Sequence, residues 1–138
     1  MLEYPPPHYL LFEPLNDTNT IDICEKYKTK YLENIEFHEI DAAIHNSVET
    51  FIPIFSNWIS SVASRKQYKF RVLIVMHSEF LSFACQQIIR RSLENKSFRN
   101  RVWFHVEDPT VIQPAIISRC IVKRIPSIYT NKAIIQQI

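Results

Sequence analysis

The run FRVLIVM, Phe70 to Met76, leaves little choice of environment. Apart from Arg71 it is apolar throughout and rich in β-branched residues, with no alternation that would give it a wet face. A short strand of that kind is buried on both sides, as the central strand of a parallel sheet is, and parallel strands need crossover connections. The neighbouring segments supply both strands and crossovers.

Tyr9 to Phe12 reads as a short buried strand, and Ile21, Cys24, Tyr27, Lys28 and Tyr31 then recur at helical spacing. Asn34 to Ile40 suits a strand at an acidic sheet edge, with Ile35, Phe37 and Ile40 set among Glu36 and Glu39. In TFIPIFSNWISSVASRK the residues Ile54, Phe55, Trp58, Ile59 and Val62 share one helical face. Thr50 as N-cap would put Pro53 in the first turn, where its missing donor costs little. Ser82 can cap a helix ending near Asn95 with Ala84, Cys85, Ile88, Ile89 and Ser92 inside and Gln86, Gln87, Arg90, Arg91 and Glu94 elsewhere on its surface. Arg101 to Val106 and Cys120 to Ile125 are two further strands, with Pro109 and Pro114 punctuating the connection between them.

The order β-α-β-α-β-α-β-α-β predicts a three-layer α/β/α fold around a five-stranded parallel sheet. At 138 residues, 46% of them hydrophobic, the chain is expected to form one domain over residues 1–138. Ligands of such sheets bind beyond the carboxyl ends of the strands, so the loops to inspect are Glu13 to Thr20, Met76 to Leu81 and Glu107 to Gln113.

Composition narrows the function classes. Three cysteines without a C-x-x-C pair suggest neither a disulfide framework nor a zinc knuckle, and the five histidines lack ligand spacing, so no metal is expected. Cys85 and Cys120 sit in core elements as inert thiols, and Trp58, Trp103 and His105 read as core residues. The start MLEYPPPHY lacks the pattern of a signal peptide, and no apolar stretch approaches a membrane span. A soluble intracellular protein is expected, in nucleus or cytoplasm and without membrane partners. Abundant Ile, Asn and Lys point to an AT-rich genome, for instance a viral one.

The net charge of +2 hides a division along the chain. Residues 1–60 hold three lysines against ten acids, a balance of −7, and residues 61–138 hold thirteen basic residues against four acids, a balance of +9. A basic face for nucleic acid or an acidic partner is one reading, and a merely solvated surface is the other. The densest cluster is Arg90, Arg91, Lys96, Arg99 and Arg101.

Three segments carry a family resemblance. IIRRSLENKSFRN looks like a helix ending in L-R-R-x-x-E, here Arg90, Arg91 and Glu94. PAIISRC looks like a segment closing on Ser-Arg-Cys, here Ser118, Arg119 and Cys120. PHYLLFEPLNDTNT resembles P-H-x-L-x-F-x-G-P-P-G-T-G-K-T. In this order they resemble the small subunits of replication factor C, the sliding-clamp loader, and more distantly the bacterial clamp-loader subunits. The resemblance runs from about Pro7 to Pro126 and covers one AAA+ core, a P-loop fold. With about a dozen residues beyond it, the lid and the helical collar of a loader subunit are expected to be lacking.

The resemblance also shows what is degenerate. Glu13, Asn16 and Thr18 occupy the glycine places of the phosphate loop and Asn19 the place of its lysine. Thr20 alone keeps the hydroxyl that would hold magnesium. The chain has no glycine anywhere, so bare amides cannot curl around a phosphate. A glutamate about 4 Å from a phosphate would add repulsion on the order of 4 kcal/mol at an effective dielectric of about 20. Met76, His77, Ser78 and Glu79 stand where the family has its acidic D-E-x-D run, and Met76 cannot hold magnesium. The γ-phosphate sensor falls near Val106 and Glu107, neither of them a substitute.

The resemblance therefore implies a pseudo-ATPase without cofactor, a catalytically inactive clamp-loader-like subunit in DNA replication. Its partners would be clamp-loader subunits, a sliding clamp and, weakly, the DNA phosphate backbone. In the family the Ser-Arg-Cys arginine acts on ATP held by a neighbouring subunit, a role for Arg119 that survives loss of the local site. Capping of the preceding short helix, or pairing with an acid, is the other reading of Arg119. The alternative for the whole chain is a stand-alone nucleic-acid-binding or clamp-loader-inhibiting interaction protein.

Overall fold

The computed structural model describes residues 2–14, 19–96 and 98–125. Five strands, β1 (Tyr9–Phe12), β2 (Ile35–Asp41), β3 (Phe70–Met76), β4 (Asn100–Val106) and β5 (Ile121–Arg124), form one sheet in the order β2-β3-β4-β1-β5. Every pairing is parallel. The helices are α1 (Asn19–Lys30), α2 (Val48–Ser60), α3 (Phe83–Asn95) and the single turn α4 (Pro114–Ile117). The α/β fold and five-stranded parallel sheet expected from the sequence are present, and the bounds of β1 and β3 coincide with the apolar runs that foretold them.

The pleat of β3 divides the core. Leu73 and Val75 point into one apolar cluster with Leu10, Val102 and Phe104, covered by Phe51, Phe55 and Trp58 of α2, Cys85, Ile89 and Leu93 of α3, and Ile116 of α4. Val72 and Ile74 point the other way, with Tyr9, Leu11 and Trp103, beneath Cys24 and Tyr27 of α1. Full burial of each such side chain contributes roughly 1.5–3 kcal/mol, which makes both layers integral to stability.

Three helices differ from the sequence expectation. Ser47, and not Thr50, is the N-cap of α2; Thr50 is its N3 partner in a capping box, each side chain bonding the other's backbone N–H. The helix therefore starts earlier and buries Phe51, Phe55, Trp58 and Ile59, leaving Ile54 and Val62 exposed. On α3 the Ser82 cap is as expected, accepting from the Cys85 amide. There Gln86 is buried while Ala84 is exposed, because Gln86 bonds the Val111 carbonyl and the Gln113 amide and so anchors the connection after β4. Ile21, placed on the inner face of α1, is exposed; Thr20 takes the buried position beside Cys24 and Tyr27.

Arg71, the one charge in the central strand, is buried and terminates α2. Its guanidinium donates to the Trp58 and Ser61 carbonyls at 2.8 and 3.0 Å and to Glu36 at 3.3 Å, satisfying acceptors at the end of the helix. Glu36 also accepts from the Ser64 amide and hydroxyl. Burial raises its pKa, yet the Ser64 hydroxyl, the His38 ring, the Ser64 amide and Arg71 outweigh that and hold it at about 2.

Candidate functional site at the carboxyl edge of the sheet

The parallel register brings the ends of β1 and β4 level, Phe12 beside Val106, and the Glu13 amide continues the ladder to the Val106 carbonyl at 2.9 Å. Glu13 is fully buried, and one of its carboxylate oxygens accepts from the Thr20 amide at 2.7 Å and from the Thr20 hydroxyl. The first turn of a helix presents unsatisfied N–H groups and the positive end of the helix dipole, so an anion is favoured there. Here the chain supplies that anion itself. The hydroxyl that resemblance assigns to magnesium is spent on the same carboxylate. Asn19, the first residue of α1, brings no charge for a phosphate. Asn16 and Thr18 lie outside the described residues.

The second loop is equally altered. Met76 is buried in the α1-side core. His77 follows in the left-handed region at φ 54°, the only positive φ among the described residues, and turns the chain into a 3-10 turn at Ser78–Phe80. The Ser78 hydroxyl is buried and donates to the Val75 carbonyl at 2.8 Å, and Glu79 belongs to the same turn. His77 Nδ1 lies 3.0 Å from an Asp41 carboxylate oxygen, and the His77 amide donates to His105 Nδ1 at 3.3 Å.

The ends of β2, β3 and β4 thus converge on an Asp41–His77–His105 cluster that sequence reasoning missed. Its signal was the place of each residue, within one position of a strand end, which the parallel topology turns into proximity. His105 accepts at Nδ1 and so carries its proton on Nε2. Burial, then the neighbouring His77, lowers its pKa to about 4, against a smaller opposing pull from Asp41. The Asp41 carboxyl is raised by burial but brought down further by the His77 hydrogen bond and the Ala43 amide, and ends below the usual range. Asp41 orients His77, yet the adjacent Ser78 hydroxyl is turned into the backbone. Among the described residues no group of His, Cys, Asp or Glu is arranged to hold a metal. Glu107 flanks this edge partly exposed and Val106 is buried within it.

On the α3–α4 side, Arg119 donates to Glu94 at 2.6 Å and to the Ala115 carbonyl at 2.6 Å, while Ser118 also bonds Ala115. Arg119 therefore both pairs with an acid and caps the short helix. Arg90 approaches the same Glu94 oxygen at 4.0 Å. The two motifs singled out separately in the sequence meet in one ion pair. Both of its side chains are about a third exposed, at 35% and 36%. Such pairs contribute about 0.2–1 kcal/mol, little enough that Arg119 can exchange Glu94 for a stronger anion. Burial pushes the Cys120 thiol up to about 12 and the Cys24 thiol likewise, which makes both poor nucleophiles.

The basic cluster splits. Arg91, Lys96 and Arg99 are exposed and Arg90 is partly so. Arg101 is occupied within the fold: it donates to the Pro6, Phe98 and Asn100 carbonyls and lies 5.4 Å from the Phe70 ring, fastening the amino-terminal segment to β3 and β4. That role was hidden in the sequence because Pro6 and Arg101 are far apart along the chain.

No family model matches the sequence, and no curated protein matches it. Solved structures do. A DNA polymerase III gamma subunit-related protein from Thermotoga maritima superposes with a TM-score of 0.67 at 14% identity over 95% of this chain and 45% of its own. RuvB from Thermotoga maritima, as its T158V variant, gives 0.67 at 14% over 95% and 42%, and its P216G variant 0.65 at 13% over 96% and 43%. The chain spans less than half the length of these proteins. Its sheet, ordered 2-3-4-1-5 and parallel throughout, has the architecture of the AAA+ P-loop core.

Proposed function

We propose that this chain works as a nucleotide-independent AAA+-like core, a clamp-loader-like subunit in DNA replication that serves its partners as a scaffold. The observation that carries this reading is the Glu13 carboxylate lodged on the Thr20 amide and hydroxyl, where a nucleotide-binding relative would hold phosphate and magnesium. What remains outward is Arg119, poised to leave Glu94 for the nucleotide of a neighbouring subunit, with the exposed Arg91 and the partly exposed Arg90 of α3. Charge-assisted hydrogen bonds are worth about 1.5–3 kcal/mol, so a desolvated phosphate competes well against a solvent-screened Glu94. Clamp-loader subunits and a sliding clamp are the partners this reading implies.

Calorimetric titration with ATP and magnesium tests it. No saturable heat is expected; a submicromolar dissociation constant, or turnover abolished by Thr20→Ala, would sink the scaffold reading. A second measurement addresses DNA. Weak binding of a labelled duplex, indifferent to base sequence, should fall steeply with salt because neutralised phosphates release counterions. Charge reversal of Arg90 and Arg91 should flatten the salt slope by roughly one unit per lost contact. Equal slopes for wild type and reversal would remove α3 from the DNA contact.

A further inference from the structure

At the opposite edge of the sheet from the site above, where β3 and β4 begin, lies a groove of about 310 Å³. Ser61, Val62 and Ala63 after α2 form one wall, Lys96, Phe98 and Arg99 before β4 form the other, and Phe70, Arg71 and Asn100 form the floor. The volume is at the lower end of the roughly 300–1,000 Å³ range of ligand pockets.

Three properties define what it fits. First, its floor offers little to a polar ligand. Arg71 is committed to Glu36, Trp58, Ser61 and Asn100, and the Asn100 amide to the Ile59 and Lys96 carbonyls. Second, its rim holds the most exposed apolar side chains among the described residues, Val62 at 87% and Phe98 at 85%. Exposure of that degree on both lips of a concavity, and not singly on a convex surface, is characteristic of an interaction site. Third, among the described residues the exposed charges that line it, Lys69, Lys96 and Arg99, are all cations without a carboxylate partner, and no acid lines the groove. Arg65 and Lys66 in the adjoining loop are exposed and add to the same field.

We infer that this groove docks an acidic peptide segment of a partner protein, an apolar side chain entering between Val62 and Phe98 while flanking carboxylates meet Lys69, Lys96 and Arg99. The walls favour a peptide over single-stranded nucleic acid. Stacked bases need an open aromatic face, and the Phe98 ring already carries the Arg99 guanidinium 5.5 Å from its centre. Of the other aromatic residues that line the groove, Phe70 carries the Arg101 guanidinium 5.4 Å from its ring centre and Tyr68 is half-buried.

The test is fluorescence anisotropy with a labelled short peptide carrying a Leu-Phe pair flanked on both sides by Asp and Glu, with a Ser-Ser version as control. Saturable binding is expected for the first peptide and not for the second. Phe98→Ser should weaken it about tenfold, as should the Lys69→Glu, Lys96→Glu and Arg99→Glu triple variant, since screened pairs are each worth a few-fold. These positions are exposed, so the variants keep the fold, which circular dichroism checks. Reversal of Arg90 and Arg91 should leave peptide affinity unchanged, separating this groove from the DNA surface. Absence of saturable binding, indifference to Phe98→Ser, or displacement of the peptide by oligothymidylate at equal concentration would each overturn the inference.

Discussion

Unfolding free energy should fall by roughly 5 kcal/mol as pH is lowered from 7 to 4, a large part of the roughly 5–15 kcal/mol that holds a domain of this size together. Two histidines are responsible. Burial lowers the pKa of His105 to about 4, with His77 adding to the effect. Burial, then the Arg101 charge, lowers that of His8 to about 4. Each uses Nδ1 as an acceptor, His105 from the His77 amide and His8 from the Val102 amide at 3.0 Å, a role that protonation destroys.

A base whose folded pKa lies below its unfolded value of 6.5 contributes stability that is complete above 6.5. That contribution is lost as pH falls toward 4, because the unfolded chain takes the proton first. His105 is fully enclosed and accounts for about 3 kcal/mol, and the partly exposed His8 for less. Glu36 extends the loss lower: its depressed carboxyl stabilises above 4.5 and ceases to do so as pH falls toward 2. Denaturant titrations across this range should show the decline. His105→Asn, whose side-chain oxygen can replace the Nδ1 acceptor, should remove about half of it. A stability profile flat between pH 7 and 4 would contradict the buried neutral imidazoles.

Glu13→Ala should destabilise the fold by about 3 kcal/mol. It strips the acceptor from a buried amide and a buried hydroxyl of Thr20 and removes an anion from a helix N-terminus, losses worth about 1–3 kcal/mol for each unsatisfied group and up to about 2 for the dipole. Glu13→Gln keeps an oxygen in place and should cost only about 1 kcal/mol, so the difference isolates the loss of the acceptor from the loss of charge. Thermal and denaturant unfolding of the two variants reads this directly. Were Glu13→Ala as stable as the parent, the carboxylate would not be the structural substitute for a bound phosphate. The variant should remain blind to ATP, since Asn19 still offers no charge.

What could be read locally was read well where a single physical rule governs a short segment. Doubly buried strands need uninterrupted apolar runs, so Tyr9–Phe12 and Phe70–Met76 announced themselves, and Ser82 declared the start of α3 because an N-cap acts within its own turn. The face of α2 holds at Phe55, Trp58 and Ile59, but its start differs for the same local reason. Ser47 and Thr50 are both good caps, and only burial of Phe51 against the sheet selects between them.

The candidate sites depend on pairs that no periodicity encodes. Glu94 meets Arg119 because α3 and α4 share one face of the sheet, and Arg101 reaches Pro6 because β4 lies beside β1. Asp41, His77 and His105 meet because β2, β3 and β4 are neighbours running the same way. Residue types alone determined that this chain makes a parallel α/β sheet and lacks the glycines and lysine of a phosphate loop. Strand order decided the rest, since it is set by the summed packing of two apolar layers and not by any one segment. It brought the Glu13 carboxylate to the first turn of α1 and gathered cations around an apolar groove.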